Sequence, residues 1–209
     1  MLCGHLDKLN TLKIVLGSKS ESRQTLLNQA GLKFDAIDSG FPEDLKKELF
    51  QSPAEYVRAT ALGKLESLTS KTDLEYDILI TCDTIVVFEG NILEKPADEA
   101  DHAKMIQSFS GKSNHVISHL FVIFKKDGNT TRREASSITD LVFADIPHES
   151  IAEMSNIFPS LLGASGGYQI QTFSASIIRE IKGSHSGVIG LPMYELCSII
   201  LDAIKTDFI

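Results

Sequence analysis

The sequence predicts an α/β fold: a mixed central β-sheet with flanking helices, drawn out into two lobes. Three observations carry this reading. The chain opens as strand, polar loop, helix and strand. Two long β runs further on are joined by Asp127-Gly128-Asn129, a hairpin signal. An apolar helical segment with Pro192 near its start closes the chain over Leu191 to Ile204. No internal repeat or linker interrupts this order, so 1–209 reads as one domain. Residues 1–11 are an N-terminal extension, and the two lobes share a sheet from about 12 to 204.

Leu12 to Leu16 reads as the first strand, stopped by Gly17. Ser18 to Ser22 form a polar loop, after which Leu26, Leu27 and Ala30 fall at helical spacing before Gly31. Lys33 to Ile37 is a second short strand. Ser52-Pro53-Ala54-Glu55 is a helix start, with Ser as N-cap, Pro at the first position and Glu placed for a capping box; that helix runs to about Leu68. Asp77 to Ile80 begin a buried strand that continues through Asp83 into Phe88, and Glu89-Gly90-Asn91 reverses the chain into Ile92-Leu93. A helix is predicted over Asp98 to Phe109, the hairpin over His115 to Lys125 and Arg132 to Phe143, and another helix over Glu149 to Asn156.

At this length about 70% of the unfolded surface is buried on folding, enough for a core without a metal or disulfide staple. The net charge is -8, and the basic residues occur as scattered pairs such as Lys46-Lys47 and Arg132-Arg133. A groove for a nucleic-acid polymer needs a basic excess, so that class is disfavoured, whereas one small triphosphate needs only a few converging cations. The three cysteines form no CxxC pair, which excludes a zinc knuckle or redox dithiol. The first ten residues carry His5, Asp7 and Lys8 without an apolar h-region, and no apolar run approaches the ~18 residues of a membrane span. A reducing, soluble, cytoplasmic setting is expected, with no membrane contact.

Several segments hold the candidate chemistry. In Gly17-Ser18-Lys19-Ser20-Glu21-Ser22-Arg23 a glycine ends a strand, hydroxyls follow and a helix begins, a way of binding phosphate on free N–H groups. Arg23 adds a forked donor. The segment lacks the closing Gly-Lys-Ser/Thr of a Walker loop, and it also reads as a capped helix after a turn. Asp83, in Thr81-Cys82-Asp83-Thr84, breaks an apolar strand, which costs stability unless the carboxylate is paired, bound to a cation or used in chemistry. Ile85 stands where a haloacid-dehalogenase phosphatase needs its second Asp, which leaves a metal ligand, a general base or a strand cap.

Glu94-Lys95 sets an acid and a base on opposite faces of a strand end, so at most one enters a given pocket directly. Lys64 in its predicted helix reads, alone, as solvent-facing. Gln169 and Gln171 share one face if Tyr168 onward is an edge strand, and an amide there reads a base edge. Gly183 to Gly187 is a turn by composition. His115 and His119 lie ~13 Å apart on a strand and cannot share a zinc. Only His185 has a ligand-side position.

Taken in order, these segments resemble the Maf family of nucleotide pyrophosphatases. Leu16 to Arg23 is similar to its Ser-x-Ser-Pro-Arg-Arg signature, and Glu43 to the acidic residue after its second strand. Ala61-Leu62-Gly63-Lys64 is similar to its Ala-x-x-Lys helix. Asp83-Thr84, Leu93-Glu94-Lys95-Pro96, Ser110-Gly111 with His115, Gly166-Gly167-Tyr168 with Ile170-Gln171, and Gly190-Leu191-Pro192 match in sequence and spacing.

The resemblance implies a two-lobed α/β structure with a cleft, commonly dimeric. It implies hydrolysis of a nucleoside triphosphate to monophosphate and pyrophosphate with a divalent cation, magnesium or alternatively manganese or cobalt. Asp83 is then the base that activates water, and it shares the cation with Glu43. Arg23, Lys64 and Lys95 neutralise the triphosphate, Ser18 and Ser20 cradle it, and Glu94 lies beside it. Ser22, Thr84 and Gln171 stand at positions that choose the base.

Three departures stand out. Glu21 replaces Pro, Ser22 replaces the first Arg, and Gly163-Ala164-Ser165 replaces the family's Asp-Lys-Ala. Ser22 matches neither the uridine/thymidine branch, which has Arg, nor the 7-methylguanosine branch, which has Trp. Gln171 favours the former, hence a lean to dTTP, UTP or modified pyrimidine nucleotides. The lost charges also motivate an alternative on the same fold: a catalytically weak nucleotide-binding regulator of growth or cell division.

Overall fold

The computed structural model describes residues 2–209. Among them, seven strands form one mixed sheet: β1 (Ile14–Leu16), β2 (Asp35–Ala36), β3 (Ile78–Phe88), β4 (Asn91–Leu93), β5 (Ser113–Lys126), β6 (Asn129–Phe143) and β7 (Ile178–Lys182). The main path runs β2-β1-β3-β5-β6-β7, with β4 paired to β3. Seven α-helices accompany it: α1 (Leu6–Leu9), α2 (Glu21–Gln29), α3 (Pro53–Thr69), α4 (Glu99–Phe109), α5 (His148–Ile157), α6 (His185–Ile189) and α7 (Met193–Lys205). The predicted α/β class and mixed sheet are what is found.

The hairpin forms for the reason the sequence supplies. Asp127 and Gly128 both take positive φ, 50° and 79°, the two-residue turn that matches strand twist. β5 then pairs with β6 from Ser113–Val142 to Lys126–Asn129, and with β3 from Ile78–Phe124 to Val87–His115. β5 therefore occupies one whole edge of β3. On the other edge β1 runs parallel to Ile78–Ile80, and β4 runs antiparallel to Val86–Phe88. Between these two partners the stretch Thr81 to Ile85 faces a gap. Strand partners diverge there, as at the switch points where α/β sheets bind ligands.

The two lobes lie on either side of this gap. One core joins Leu16, Leu27, Ile78, Ile80 and Val122 to Leu196 and Ile200 of α7. The other joins Val86 and Phe88 to Phe109 of α4, Phe143, Met154 of α5 and Tyr168; Phe109 stacks on Phe143 at 5.0 Å and meets Phe88 and Tyr168 edge-on. α3 lies across one face of the sheet, with Leu65 and Leu68 on Leu79 and Phe121.

Several local expectations change. The extension before residue 12 carries α1, with Leu2 and Leu9 buried in the first core. The capping box over Ser52 is partial. Ser52 Oγ accepts from the Glu55 N–H, but Glu55 accepts from the Gln51 N–H one residue early. The Gly183 to Gly187 segment is not only a turn, because Ser184 caps α6 by accepting from the Gly187 N–H. Tyr168 to Thr172 is no edge strand either. The Thr172 N–H closes a turn onto the Gln169 carbonyl, so Gln169 and Gln171 share no strand face.

Candidate functional site

The gap in β3 is the floor of a cleft of about 510 Å³. Ser18, Ser20, Ser22, Arg23, Glu43, Lys64, Asp83, Thr84, Lys95 and Gln171 all line it. Glu94 alone of the expected site residues does not: its carboxylate turns to Lys47, and only its carbonyl serves the site, by accepting from the Gly166 N–H at 3.1 Å. Within this chain of net charge -8, the described lining carries Lys19, Arg23, Lys64 and Lys95 against Asp38, Glu43 and Asp83. Four cations against three carboxylates make the cleft locally positive, the convergence that a small polyphosphate needs.

Alternation along β3 sends Asp83 and Thr84 to opposite faces of the strand. Asp83 points toward α3 and is 6% exposed. Lys64, expected to face solvent, is 5% exposed, because α3 packs flat on the sheet at that turn. Its Nζ donates to Asp83 Oδ1 at 2.7 Å and pairs with Glu43 Oε1 at 2.8 Å. One ammonium thus gathers two carboxylates that are 40 residues apart in sequence.

Glu43 reaches Lys64 because its loop is fastened to α3. Ser67 Oγ donates to the Ser39 carbonyl, and the Phe41 ring lies against Gly63, where any Cβ would overlap it. The glycine costs the helix about 1 kcal/mol against alanine, and this close approach is the reason it is there. Asp38, in the same loop, pairs with Lys19 at 2.9 Å. The Gly40 N–H, then Lys19, holds its carboxyl below the usual range. No sequence motif singles out Asp38.

The loop after β1 is ordered by its own hydroxyls. Ser18 Oγ accepts from the Ser20 N–H at 3.2 Å, and Ser20 caps α2 by accepting from the Arg23 N–H. Arg23 is held as well as held out to a ligand: Nε donates to the Gly190 carbonyl at 2.8 Å, Nη1 to Ser18 and Nη2 to Thr84. The guanidinium therefore ties the loop, β3 and the turn after α6 into one wall. Thr84 Oγ1 also meets Ser118 Oγ at 2.7 Å. Cys82, on the same face as Thr84, is fully buried, which pushes its thiol up to about 11 and keeps it unreactive.

The opposite rim is the segment 163–171, supported from beneath. His102, 0% exposed, holds the Gly167 carbonyl through Nε2 at 2.8 Å, and the Tyr168 hydroxyl donates to Asn114 at 3.1 Å. Burial raises the Tyr168 phenol above its ordinary value, so it stays protonated as a donor. His115 and His119 are structural: they pair with Asp140 and Glu134 across the hairpin. His185 is exposed on α6 and does not line the cleft. Among the described residues no group of three or more His, Cys, Asp or Glu side chains could hold a metal ion, and no helix is long and apolar enough to cross a membrane.

A protein-family model described as Maf-like protein matches residues 13–203. The chain belongs to the Maf family. Among its relatives, a dTTP/UTP pyrophosphatase of Clostridium beijerinckii is 36% identical over 186 residues, covering 88% of this Maf chain and 96% of the relative. A nucleoside triphosphate pyrophosphatase of Chlamydia muridarum is 31% identical over 192 residues, covering 91% and 93%. A human protein named probable bifunctional dTTP/UTP pyrophosphatase/methyltransferase is 31% identical over 205 residues; the match takes in 94% of the Maf chain but only 33% of that longer protein.

Proposed function

We propose that this Maf protein hydrolyses a nucleoside triphosphate to the monophosphate and pyrophosphate, with dTTP and UTP as its preferred class. The observation that carries the reading is Asp83: a buried carboxylate at the point where one edge of β3 has no strand partner, held by Lys64 and opening onto a cleft lined by hydroxyls and cations. A carboxylate in that position has no packing role that an apolar residue would not fill better.

In-line attack on a phosphate needs positioning and charge neutralisation more than covalent chemistry. Lys64 fixes Asp83 through Oδ1, leaving Oδ2 to take the proton of the attacking water. Ser18, Ser20 and the start of α2 cradle phosphate oxygens, while Arg23 and Lys95 balance the charge. Ser22 and Gln171, which line the same cleft, are read as base-choosing positions with Thr84.

Two carboxylates converging on one ammonium suit a divalent cation that arrives with the triphosphate, since magnesium keeps several waters and needs only one or two protein carboxylates beside substrate phosphates. Asp83 and Glu43 would hold it, and its chemistry would be to neutralise charge on the phosphates. Magnesium, manganese and cobalt all meet that description. The free Cys3, Cys82 and Cys197 suit the reducing cytoplasm we infer, and we infer a homodimer from the family resemblance.

The test is product analysis with a panel of triphosphates and magnesium. Monophosphate plus pyrophosphate, lost in Asp83→Asn, is the expected result. Orthophosphate as first product would overturn the reading. Tight binding without turnover would instead favour the regulator, whose motivation is that Ser22, Gly163 and Ala164 line the cleft without charge.

A further inference from the structure

Hydrogen counting behind Thr84 leads to an inference that rests on the nucleotide reading of the cleft and extends it. Ser118 sits on β5 directly opposite Thr84 and is fully buried. Its Oγ lies 2.7 Å from the Gly187 carbonyl oxygen and 2.7 Å from Thr84 Oγ1. A carbonyl oxygen has no proton, so the single hydroxyl proton of Ser118 goes to Gly187. The contact with Thr84 is then a hydrogen bond only if Thr84 donates. That commits the one proton of Thr84 inward, toward Ser118.

The other neighbours of Thr84 agree. Arg23 Nη2, at 3.3 Å, is a donor only and takes a lone pair of Thr84. The Gly190 carbonyl, also at 3.3 Å, already accepts from Arg23 Nε at 2.8 Å and from the Cys82 thiol at 3.2 Å. It competes poorly for the Thr84 proton against Ser118 at 2.7 Å. Thr84 therefore meets the cleft with its one remaining lone pair and no proton. Gly187 belongs to the device, because a Cβ there would overlap Ser137 Oγ. Only glycine lets α6 bring its carbonyl down onto Ser118.

We propose that Ser118 is a positioning residue for base selection: by accepting from Thr84 it fixes that hydroxyl as an acceptor toward the cleft. The site then suits pyrimidines with an imino N–H, uracil and thymine, and rejects cytosine, whose ring nitrogen at that position is itself an acceptor. Ser118 touches no substrate and acts through Thr84.

The experiment titrates dTTP and dCTP, with magnesium, into Asp83→Asn protein by calorimetry, so that binding is read without turnover. We expect dTTP to bind at least about tenfold more tightly than dCTP, the worth of one well-formed hydrogen bond. Adding Ser118→Ala frees the Thr84 proton and brings the ratio to within about threefold, whereas Ser118→Thr, which restores the hydroxyl, keeps the original preference. Thr84→Val also abolishes the preference, and joining it to Ser118→Ala changes nothing more, because the two residues act as one unit. An undiminished dTTP preference in the Ser118→Ala background overturns the inference and leaves the pyrophosphatase reading intact. If neither nucleotide binds the Asp83→Asn protein, which also loses a proposed cation ligand, the same dTTP-to-dCTP ratio is read from kcat/KM with Asp83 restored. Absence of turnover there overturns both readings. Should Ser118→Ala fail to fold, Thr84→Ser against Thr84→Val decides: equal preference in those two overturns the proposal.

Discussion

On the face of β3 that α3 covers, Asp83, Lys64 and Glu43 form a charged cluster; on the face toward α6, Thr84 and Ser118 form a chain of neutral hydroxyls. The two clusters are one residue apart on the strand. Alternation separates them, so the strand itself keeps the carboxylates and Lys64 apart from the hydroxyls, while Arg23 reaches Thr84 from the loop after β1. On the proposed function, rate and selectivity have largely separate supports in this fold. Changes on the α3 face should act on turnover and stability, and changes on the α6 face on the choice of nucleotide.

The strongest way to break this division is Asp83→Asn. We expect kcat to fall about 10³-fold, the worth of a positioned general base, with circular dichroism unchanged. Thr84→Val in parallel should leave kcat within about threefold. A large kcat loss at Thr84 would end the separation of roles.

Lys64→Met comes next. It leaves the buried Asp83 carboxylate without its ammonium and close to a second carboxylate, at a cost of about 3 kcal/mol in urea unfolding. That corresponds to a fall in Tm of about 6–12 °C for a chain of this size. Adding Asp83→Asn to Lys64→Met should recover much of the loss, since the uncompensated charge is then gone.

Gly63→Ala is milder. The added methyl displaces the Phe41 ring, and overpacking outweighs the helix propensity gained, for a net loss of about 1 kcal/mol. Because Phe41 sits two residues from Glu43, turnover should also drop several-fold at limiting magnesium and recover as magnesium is raised.

The smallest effect is a pH dependence on the α3 face, at His119. Burial holds its imidazole below the ordinary 6.5 despite the pull of Glu134, which Arg58 in turn holds down at about 2. A folded value below the unfolded one means that the unfolded chain binds the proton first as pH falls. Stability should thus be full above pH 6.5 and decline below it toward the folded value. The slope is at most about 1.4 kcal/mol per pH unit, read as the urea midpoint against pH. His119→Gln should flatten that slope while leaving nucleotide preference untouched.

The long strands, the hairpin and the three longest helices were legible because their signals are local: β-branched runs, an Asp-Gly turn, and Ser52, Asp98 and Pro192 at helix starts. The misses share a cause in tertiary contacts. Ile178–Lys182, with Arg179, Glu180 and Lys182, is given no element by its pattern; it becomes a strand because β6 offers it an edge. The burial of Lys64 depends on which face of α3 meets the sheet, which spacing within the helix does not reveal. Glu94 and Lys95 lie beyond the end of β4, so strand alternation does not place them; the pairing with Lys47, distant in sequence, turns Glu94 away. Ser118 gave no sequence signal, since its role is set wholly by two oxygens brought to it by β3 and α6.

The gap at Thr81 to Ile85 also has a mechanical side. Beneath it the β3–β5 ladder continues without a break, from Ile78–Phe124 to Val87–His115. The two lobes are therefore halves of one elastic plate and not two bodies on a hinge. Spreading the floor would mean parting backbone hydrogen bonds in the middle of the sheet. The distance along β3 from the loop after β1 to the 163–171 rim is therefore a fixed ruler, against which the proposed nucleotide would be measured.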